Sequence, residues 1–209
     1  MANNGFYDKH AVALATQYRA ADVDTVHEAW VSEIAASTPG LACDIGAGSG
    51  RDANWLAEKG WDVIAVEPSQ GMRELAIPKS HANVTWLDDS LPELFRLRAL
   101  GHRFDLVLLS AVWQHLPPGQ RERAFRILTE LLKPGGTLVI TLRHGTDELE
   151  NRERGFHPVS AAELAVFAQR RAVVMRDPVT QPDETRAHLQ WETLVFSIPG
   201  ADVDNLLLL

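Results

Sequence analysis

The chain has 209 residues, enough for one domain with a substantial hydrophobic core and too few for two domains of ordinary size. Hydrophobic residues make up 45% and charged residues 23%, and no apolar run approaches the roughly 18 residues of a transmembrane helix. The formal net charge of −8 argues against a broad nucleic-acid-binding surface, because such a surface needs clustered lysine and arginine. The N-terminus lacks the basic and then apolar pattern of a secretory signal, and we therefore expect a cytoplasmic protein.

The single cysteine, Cys43, excludes an internal disulfide and a cysteine-cluster metal site. It lies in an apolar run, where a small buried side chain is the ordinary interpretation. The eight histidines are scattered, and none pairs with Asp, Glu or Cys at a recognisable ligand spacing. We therefore expect no metal.

Two helical patterns open the chain. The second has apolar residues at Val23, Val26, Trp30 and Ile34, and this spacing places them on one face of a helix. The Thr-Pro-Gly sequence at 38–40 then ends the pattern.

Beyond residue 40, short apolar runs alternate with helical stretches. This alternation predicts right-handed crossovers and a mostly parallel sheet covered by helices on both faces. A capping-box spacing between Ser160 and Glu163 marks the start of the last predicted helix. The predicted strands are residues 41–45, 62–66, 84–87, 104–109, 137–142, 172–176 and 191–198, and the predicted helices are residues 51–58, 69–76, 120–132 and 160–170.

The most informative segment follows the first predicted strand. Asp44 is followed by glycines at 46, 48 and 50 and then by a predicted helix. Glycine allows a tight turn and close approach of a ligand, and a helix N-terminus offers free amides to a carboxylate or phosphate. A dinucleotide fold would show G-x-G-x-x-G, whereas the spacing here is G-x-G-x-G, followed by Arg51. Taken alone, the segment is also compatible with a tight turn that binds nothing.

Acidic residues follow the next two predicted strands. Glu67 ends the second strand, where an acid accepts hydrogen bonds from ribose hydroxyls in other nucleotide-binding sheets. Asp88 and Asp89 follow the third strand. Open α/β sheets bind ligands beyond the carboxyl ends of their strands, so these acids are candidate ligand-binding groups, with solvated turn residues as the alternative.

Four segments together resemble the class I S-adenosylmethionine-dependent methyltransferases. Residues 44–50 (DIGAGSG) resemble motif I, residues 63–72 the acidic-strand motif, residues 104–116 the fourth-strand segment, and residues 131–140 the turn into strand five. The segments occur in the family's order and cover roughly residues 40–142. The resemblance implies an α/β, Rossmann-like three-layer sandwich with a mostly parallel seven-stranded sheet, an antiparallel last strand and an N-terminal helical cap.

We expect a single domain over residues 1–209. It would consist of the helical cap at 1–38, the Rossmann-like core at 39–199 and a short tail at 200–209. The tail ends in four leucines, for which a packing or oligomer contact is the favoured interpretation. The oligomeric state stays open.

The resemblance also implies which residues bind the cofactor S-adenosylmethionine, whose product is S-adenosylhomocysteine. The glycine turn would lie beside its methionine portion, Asp44 near its amino group, and Glu67 at the ribose hydroxyls. Either Asp88 or Asp89 would contact adenine, with Asp88 preferred, and Tyr7, Tyr18 or Arg19 would close over the pocket. Ser110 and Ala111 would line the path to the methyl group. The implied cofactor-binding set is Asp44, Gly46, Ala47, Gly48, Gly50, Arg51, Glu67, Pro68, Asp88, Asp89, Ser110 and Ala111.

Candidates for catalysis and substrate binding follow the fourth and fifth strands. His115 is the candidate general base, because histidine titrates near neutral pH; the alternative is a histidine that packs or caps the next loop. Trp113 is a candidate for the substrate pocket, with ordinary hydrophobic packing as the alternative. Arg143 and His144 would favour an anionic group on the substrate, unless they are solvated loop residues. Residues 143–158 are predicted to form a variable lid.

The sequence favours a small-molecule acceptor. Ser-Ala-Val-Trp at 110–113 stands where base-amino methyltransferases carry an Asn/Asp-Pro-Pro-aromatic motif. With the acidic charge and the short chain, this predicts in-line methyl transfer to a small molecule, without nucleic-acid or membrane partners. The alternatives are a methyltransferase for a protein or RNA side chain and a non-catalytic S-adenosylmethionine-binding regulatory protein. A dinucleotide oxidoreductase is disfavoured by the glycine spacing.

Overall fold

The computed structural model describes residues 4–35, 38–183 and 186–200, so the predicted tail contact lies almost entirely outside the described residues. None of the described helices is long and apolar enough to cross a bilayer. The α-helices are α1 Asn4–Ala20, α2 Val23–His27, α3 Val31–Ala35, α4 Arg51–Glu58, α5 Gln70–Ala76, α6 Phe95–Ala99, α7 Pro118–Glu130, α8 Glu148–Arg154 and α9 Ala161–Arg170. The strands are β1 Leu41–Ile45, β2 Asp62–Val66, β3 Val84–Leu87, β4 Phe104–Leu109, β5 Leu132–Gly145, β6 Val174–Met175, β7 Val179–Pro182 and β8 Leu189–Ser197.

The strands form one mixed sheet in the order β3-β2-β1-β4-β5-β8-β6, with β7 also paired to β8. The strands β1 to β5 pair in parallel, and β8 pairs antiparallel to β5. This confirms the predicted Rossmann-like sheet with a late antiparallel strand. Chain order reverses between β1 and β4, which is where open α/β sheets bind their ligands.

The described sheet has eight strands, where the resemblance implied seven. The additional strand, β7, was not predicted because it is short, mostly exposed and ends in Pro182. Proline cannot donate a backbone hydrogen bond to a neighbouring strand, so within sheets it is found at edges and strand ends such as this one. Antiparallel pairing of Gln181 with Trp191 secures β7 to β8.

The sheet is buried on both faces, as its near-continuous apolar strands predict. Side chains alternate between two cores along each strand. In β4, Val107 packs with α7 and α9 residues such as Phe125 and Phe167, whereas Leu106 packs with α4 residues such as Leu56 on the opposite face.

The second N-terminal helix is shorter than its apolar pattern predicts. It is divided into α2 and α3 by a turn around Trp30. This turn lets the Trp30 indole Nε1 donate to the His27 Nδ1 atom at 3.1 Å, with both side chains fully buried. The Trp30 ring also packs edge-on against Trp55 of α4, at a centroid distance of 5.7 Å.

The first helix does not pack on the sheet. Its apolar residues Ala11, Leu14 and Ala15 pack instead around Met72 of α5. Arg19 at its C-terminal end donates to the carbonyl oxygens of Ser49 and Leu75, at 3.1 and 3.0 Å. These contacts hold α1 across the carboxyl edge of the sheet.

Candidate functional site

A cavity of about 640 Å³ lies at the carboxyl edge of the sheet, around the point where strand order reverses. The ends of β1, β2, β4 and β5 form its floor, and α1 and the end of α8 contribute to its walls. Most of the candidate site residues named from the sequence line it. These are Gly46, Ala47, Gly48, Arg51, Glu67, Pro68, Ser110, Ala111, His115 and Arg143, together with Tyr7 and Tyr18.

Two positions in the turn after β1 are occupied by glycine for different structural reasons. Gly46 has a φ of +74°, and a Cβ there would lie 2.4 Å from the Val112 Cγ2 atom, so close packing requires glycine. Gly48 has a φ of +52°, yet a Cβ there would meet nothing nearer than the Met72 Cε atom at 3.5 Å. A side chain at Gly48 would therefore extend into the cavity.

The Glu67 carboxylate is held by two backbone amides. Gly48 N–H donates to Oε2 and Ser69 N–H donates to Oε1, both at 2.8 Å. Glu67 is only 7% exposed, and burial raises its pKa above the ordinary value. Each carboxylate oxygen keeps acceptor capacity, because an ionised carboxylate offers about four lone-pair sites.

Asp44 lies beneath the cavity and does not line it. Its Oδ2 atom is buried and has no hydrogen-bond partner among the described residues. Burial, followed by the neighbouring Asp52 carboxylate, raises the pKa of Asp44 well above the usual range. An unpaired buried carboxylate oxygen is costly, and a donor from a bound molecule would offset that cost.

Asp52 also lines the cavity, although the sequence analysis did not single it out. Arg51 Nε donates to its Oδ1 at 2.6 Å, and the His27 Nε2 atom lies 3.1 Å from the same oxygen. These two partners outweigh burial and hold the pKa of Asp52 well below its usual range. The cavity thus has the ionised carboxylate of Asp52 in its wall. Beneath it lies the carboxyl group of Asp44, whose raised pKa favours the protonated form.

The two acids after β3 do not line the cavity, and Gly50 does not either. Asp88 is exposed and pairs with Arg73 at 3.1 Å and Arg96 at 3.4 Å. Asp89 accepts from Ser90 N–H at 2.8 Å and Leu97 N–H at 2.9 Å, so its carboxylate supports the chain around α6. Local ion pairs and backbone capping therefore engage both carboxylates.

A polar network joins α1 to the end of α8 over the cavity. Arg154 Nη2 donates to the Tyr7 hydroxyl at 2.9 Å and to the Tyr18 hydroxyl at 2.7 Å. The Tyr7 hydroxyl also lies 2.9 Å from His115 Nε2. With His115 neutral and protonated at Nδ1, the Tyr7 hydroxyl donates to its Nε2 atom while accepting from Arg154; in the other tautomer Nε2 would donate to the Tyr7 oxygen instead.

The electrostatic surroundings of His115 favour that neutral form. Burial, followed by the charges of Arg154 and His157, lowers its pKa to about 3. Burial also raises the pKa of Tyr7. His115 is therefore placed to accept a hydrogen bond from Tyr7, and it is a much weaker proton acceptor than an ordinary histidine.

The structure separates the three substrate candidates. Arg143 lines the cavity, and it hydrogen-bonds Glu150 and, at 3.0 Å, Asn151. Trp113 is fully buried in the core and does not line the cavity, which agrees with the packing alternative. His144 points to Glu192, with its Nε2 atom 2.9 Å from the carboxylate, and does not line the cavity.

Several cavity residues were missed by the sequence analysis. Most of them come from the end of α8 and the residues after it, from β7 and β8 and from the connection between these strands, where the sequence shows no motif. The spacing of four between Glu150 and Arg154 was a usable signal for a helix in the predicted lid. The missed lining residues include Asp52, Thr141, Arg154, Phe156, Gln181, Arg186, Trp191 and Thr193.

One group of potential metal ligands occurs near the lid, among the described residues. Ligand atoms of Asp147, Glu150 and His188 lie within 4.8 Å of one another. Both Glu150 oxygens are already engaged by arginines, Oε2 by Arg143 and Oε1 by Arg154. The group is therefore better explained by its ion pairs than by a cation.

Comparison with known proteins gives consistent matches. The family model of a methyltransferase domain matches residues 42–136. An uncharacterised methyltransferase of Geobacillus kaustophilus is 26% identical over 161 residues, covering 74% of this chain and 73% of that protein. Two solved structures share the fold. One is the 1,6-didemethyltoxoflavin-N1-methyltransferase of Burkholderia thailandensis, with bound 1,6-didemethyltoxoflavin and S-adenosylhomocysteine (TM-score 0.69, 21% identity, 93% of this chain and 88% of that chain). The other is the magnesium protoporphyrin IX methyltransferase of Synechocystis, with bound S-adenosylhomocysteine (TM-score 0.70, 16% identity, 93% and 97%).

Proposed function

We propose that this chain is a class I S-adenosylmethionine-dependent methyltransferase that transfers the methyl group to a small molecule held in the cavity beside the cofactor. The observation that carries the proposal is the bridge across the cavity. Arg154 of α8 hydrogen-bonds Tyr7 and Tyr18 of α1, so the helical cap and the lid meet above the carboxyl edge of the sheet. A volume of about 640 Å³ is typical of small-ligand sites.

The cavity residues fit S-adenosylmethionine. The space above Gly48 would take its methionine portion, and the remaining acceptor capacity of Glu67 would bind its ribose hydroxyls. The unpaired Oδ2 atom of Asp44 is a suitable acceptor for its amino group, reached directly or through a water. Because Asp88 and Asp89 are engaged locally, we propose that adenine contacts come from other residues of the wall.

The cofactor supplies a methyl group already activated by the sulfonium, so the protein has to align the acceptor and exclude water. Well-oriented reactants can gain as much as roughly 7–11 kcal/mol of barrier reduction over an untethered pair. We propose that Ser110 and Ala111 form the floor at the transfer point, since both lie at the end of β4 in the cavity. Ala111 has a φ of +57°, and its N–H donates to the Thr141 hydroxyl at 2.8 Å.

We propose that Tyr7 and His115 position the acceptor and do not act as a strong base. An acceptor hydroxyl or amine would hydrogen-bond the Tyr7 oxygen, while the Tyr7 proton stays directed at His115 Nε2. Since the pKa of His115 is about 3, full proton removal by this pair would be unfavourable at neutral pH. The proposal therefore favours acceptors that are already anionic or neutral nucleophiles.

The proposal is tested by separating acceptors by size. The purified protein is incubated with S-adenosylmethionine labelled in its methyl group, together with either the low-molecular-weight or the macromolecular fraction of a cell extract. Label transferred to low-molecular-weight products supports a small-molecule acceptor. Label found only in protein or RNA would overturn it, and tight S-adenosylhomocysteine binding without transfer to either fraction would indicate the regulatory alternative.

A further inference from the structure

We propose that the acceptor is a planar ring compound carrying one carboxylate, bound at what we call the arginine end of the cavity. The arginine end is defined by Arg143, Arg154, Phe156, Arg186 and Trp191, all of which line the cavity. This inference rests on the proposed function, because it names the substrate class for the same site.

The arginine end is built on the antiparallel part of the sheet. Arg143 of β5 pairs in register with Trp191 of β8, and Trp191 pairs in turn with Gln181 of β7. Side chains at directly paired positions share one face of a sheet. These three residues therefore form a contiguous row, and the Arg186 guanidinium carbon lies 5.9 Å from the centre of the Trp191 ring.

The surfaces at this end are planar. The guanidinium carbons of Arg143 and Arg154 each lie 4.7 Å from the centre of the Phe156 ring. The His115 ring packs against the same phenylalanine at a centroid distance of 4.8 Å. Flat guanidinium and aromatic surfaces stack well on another flat ring, which favours a planar ligand over an aliphatic one.

The charges at this end favour a single negative charge on the ligand. Among the described residues, Arg143 and Arg154 share the Glu150 carboxylate, and Arg186 pairs with Asp183. Within these ion pairs three guanidinium groups face two carboxylates, so one positive charge is in excess. Arg143 is only 6% exposed, and burial followed by repulsion from Arg154 lowers its pKa. A carboxylate would neutralise the excess, whereas a phosphate monoester, with a charge of about −1.5 to −2, would exceed it.

The arginines also have donor capacity that the protein does not use. The Nε atoms of Arg143 and Arg154 are buried and lack hydrogen-bond partners among the described residues. Arginine recognises carboxylates with several donors of its planar fork, and such charge-assisted bonds are among the strongest in proteins. A small rotation of either guanidinium on carboxylate binding would bring these donors into use.

The inference is tested with chemically matched probes. Protein saturated with S-adenosylhomocysteine is titrated by calorimetry with 2-naphthoate, 2-naphthamide and 2-naphthyl phosphate. We expect 2-naphthoate to bind at least about tenfold more tightly than the other two. Equal affinity for the carboxylate and the amide, or tighter binding of the phosphate, would overturn the inference.

Variants locate the carboxylate. We expect Arg143→Gln to weaken 2-naphthoate binding about tenfold, with the affinities for 2-naphthamide and S-adenosylhomocysteine unchanged. Arg126→Gln is the matched control, because Arg126 lies on α7 outside the cavity and pairs with Glu130. If Arg143→Gln disturbs folding, Arg186→Gln provides the same comparison. Unchanged 2-naphthoate affinity in the folded variants would overturn the assignment.

The same titrations distinguish failure of the proposed function from failure of the inferred substrate class. Absence of S-adenosylhomocysteine binding by the wild-type protein would contradict the proposed function itself. Normal S-adenosylhomocysteine binding without a preference for the carboxylate would contradict only the substrate class.

Discussion

The two edges of the sheet use the same kind of contact for different purposes. At the amino edge, Asp105 accepts from Leu41 N–H at 2.8 Å and from Lys133 Nζ at 2.7 Å. At the carboxyl edge, Glu67 accepts from the backbone amides of Gly48 and Ser69. Both are carboxylates bound to backbone amides, yet the pKa of Asp105 is lowered and that of Glu67 is raised.

The difference lies in what offsets each charge. Lys133 and the Leu41 amide outweigh the burial of Asp105, so its ionised form is stabilised in the folded state. Burial dominates at Glu67, which has no salt bridge of its own among the described residues. A carboxylate fully compensated by protein groups acts as a structural tie, whereas an undercompensated one keeps capacity for a ligand.

The largest expected effect concerns the glycines with positive φ. We expect Gly48→Val to weaken S-adenosylhomocysteine binding at least about a hundredfold, because the side chain would occupy the cavity and valine disfavours this backbone conformation. Calorimetry measures the affinity. Gly101→Val is the matched control, since Gly101 has a φ of +69° with nothing within 4 Å of its Cβ position. Equal loss in both variants would mean that strain alone explains the result.

The next largest effect is expected when Glu67 is replaced by alanine, with the corresponding replacement of Asp105 as the comparison. Glu67→Ala should weaken S-adenosylhomocysteine binding about tenfold or more, because the ribose hydroxyls lose their acceptor. Asp105→Ala should leave that affinity unchanged and lower the free energy of unfolding by about 1–3 kcal/mol, since Leu41 N–H loses its partner. Calorimetry and urea denaturation measure the two effects. If Asp105→Ala lost affinity as strongly as Glu67→Ala, the contrast between the edges would be wrong.

A third prediction concerns the protonation of His115. Because burial and the arginine charges hold its pKa at about 3, we expect its ring to stay neutral from pH 8 down to pH 5. Nuclear magnetic resonance of imidazole-labelled protein follows the titration, and the spectrum of His115→Gln assigns the signal. A titration midpoint near pH 6.5 would restore His115 as a general base.

The smallest expected effect is a pH dependence at the amino edge. The folded-state pKa of Asp105 is lowered, so its contribution to stability is present above the unfolded value near 3.8 and is lost as pH falls below it. We expect Asp105→Asn to be less stable than wild type by about 1 kcal/mol or less at pH 7, with the difference shrinking progressively as pH falls below 3.8. Chemical denaturation at pH 7 and across the acid range measures it, and a constant difference would contradict the ionic origin.

Much of the fold follows from local sequence patterns. The strands β1 to β4 were predicted with their observed bounds, because each is a short apolar run flanked by clear turn residues. The segment 172–176 was predicted as a strand, yet only Val174–Met175 pair in the sheet. The strand β7 went unpredicted because it is short, mostly exposed and ends in Pro182, so that only its pairing with β8 in the folded chain makes it a strand.

The sequence by itself determined the glycine turn and the placement of Glu67 at the cavity, because positive φ values and strand ends are local properties of the backbone. Only the tertiary structure decided that Tyr7, His115 and Arg154 meet. Tyr7 lies more than 100 positions before His115, and His115 lies 39 positions before Arg154. It also decided that Trp113 is buried in the core while Arg143 faces the cavity. Burial and ion pairing depend on distant neighbours, and a local pattern does not specify which charged groups those neighbours will supply.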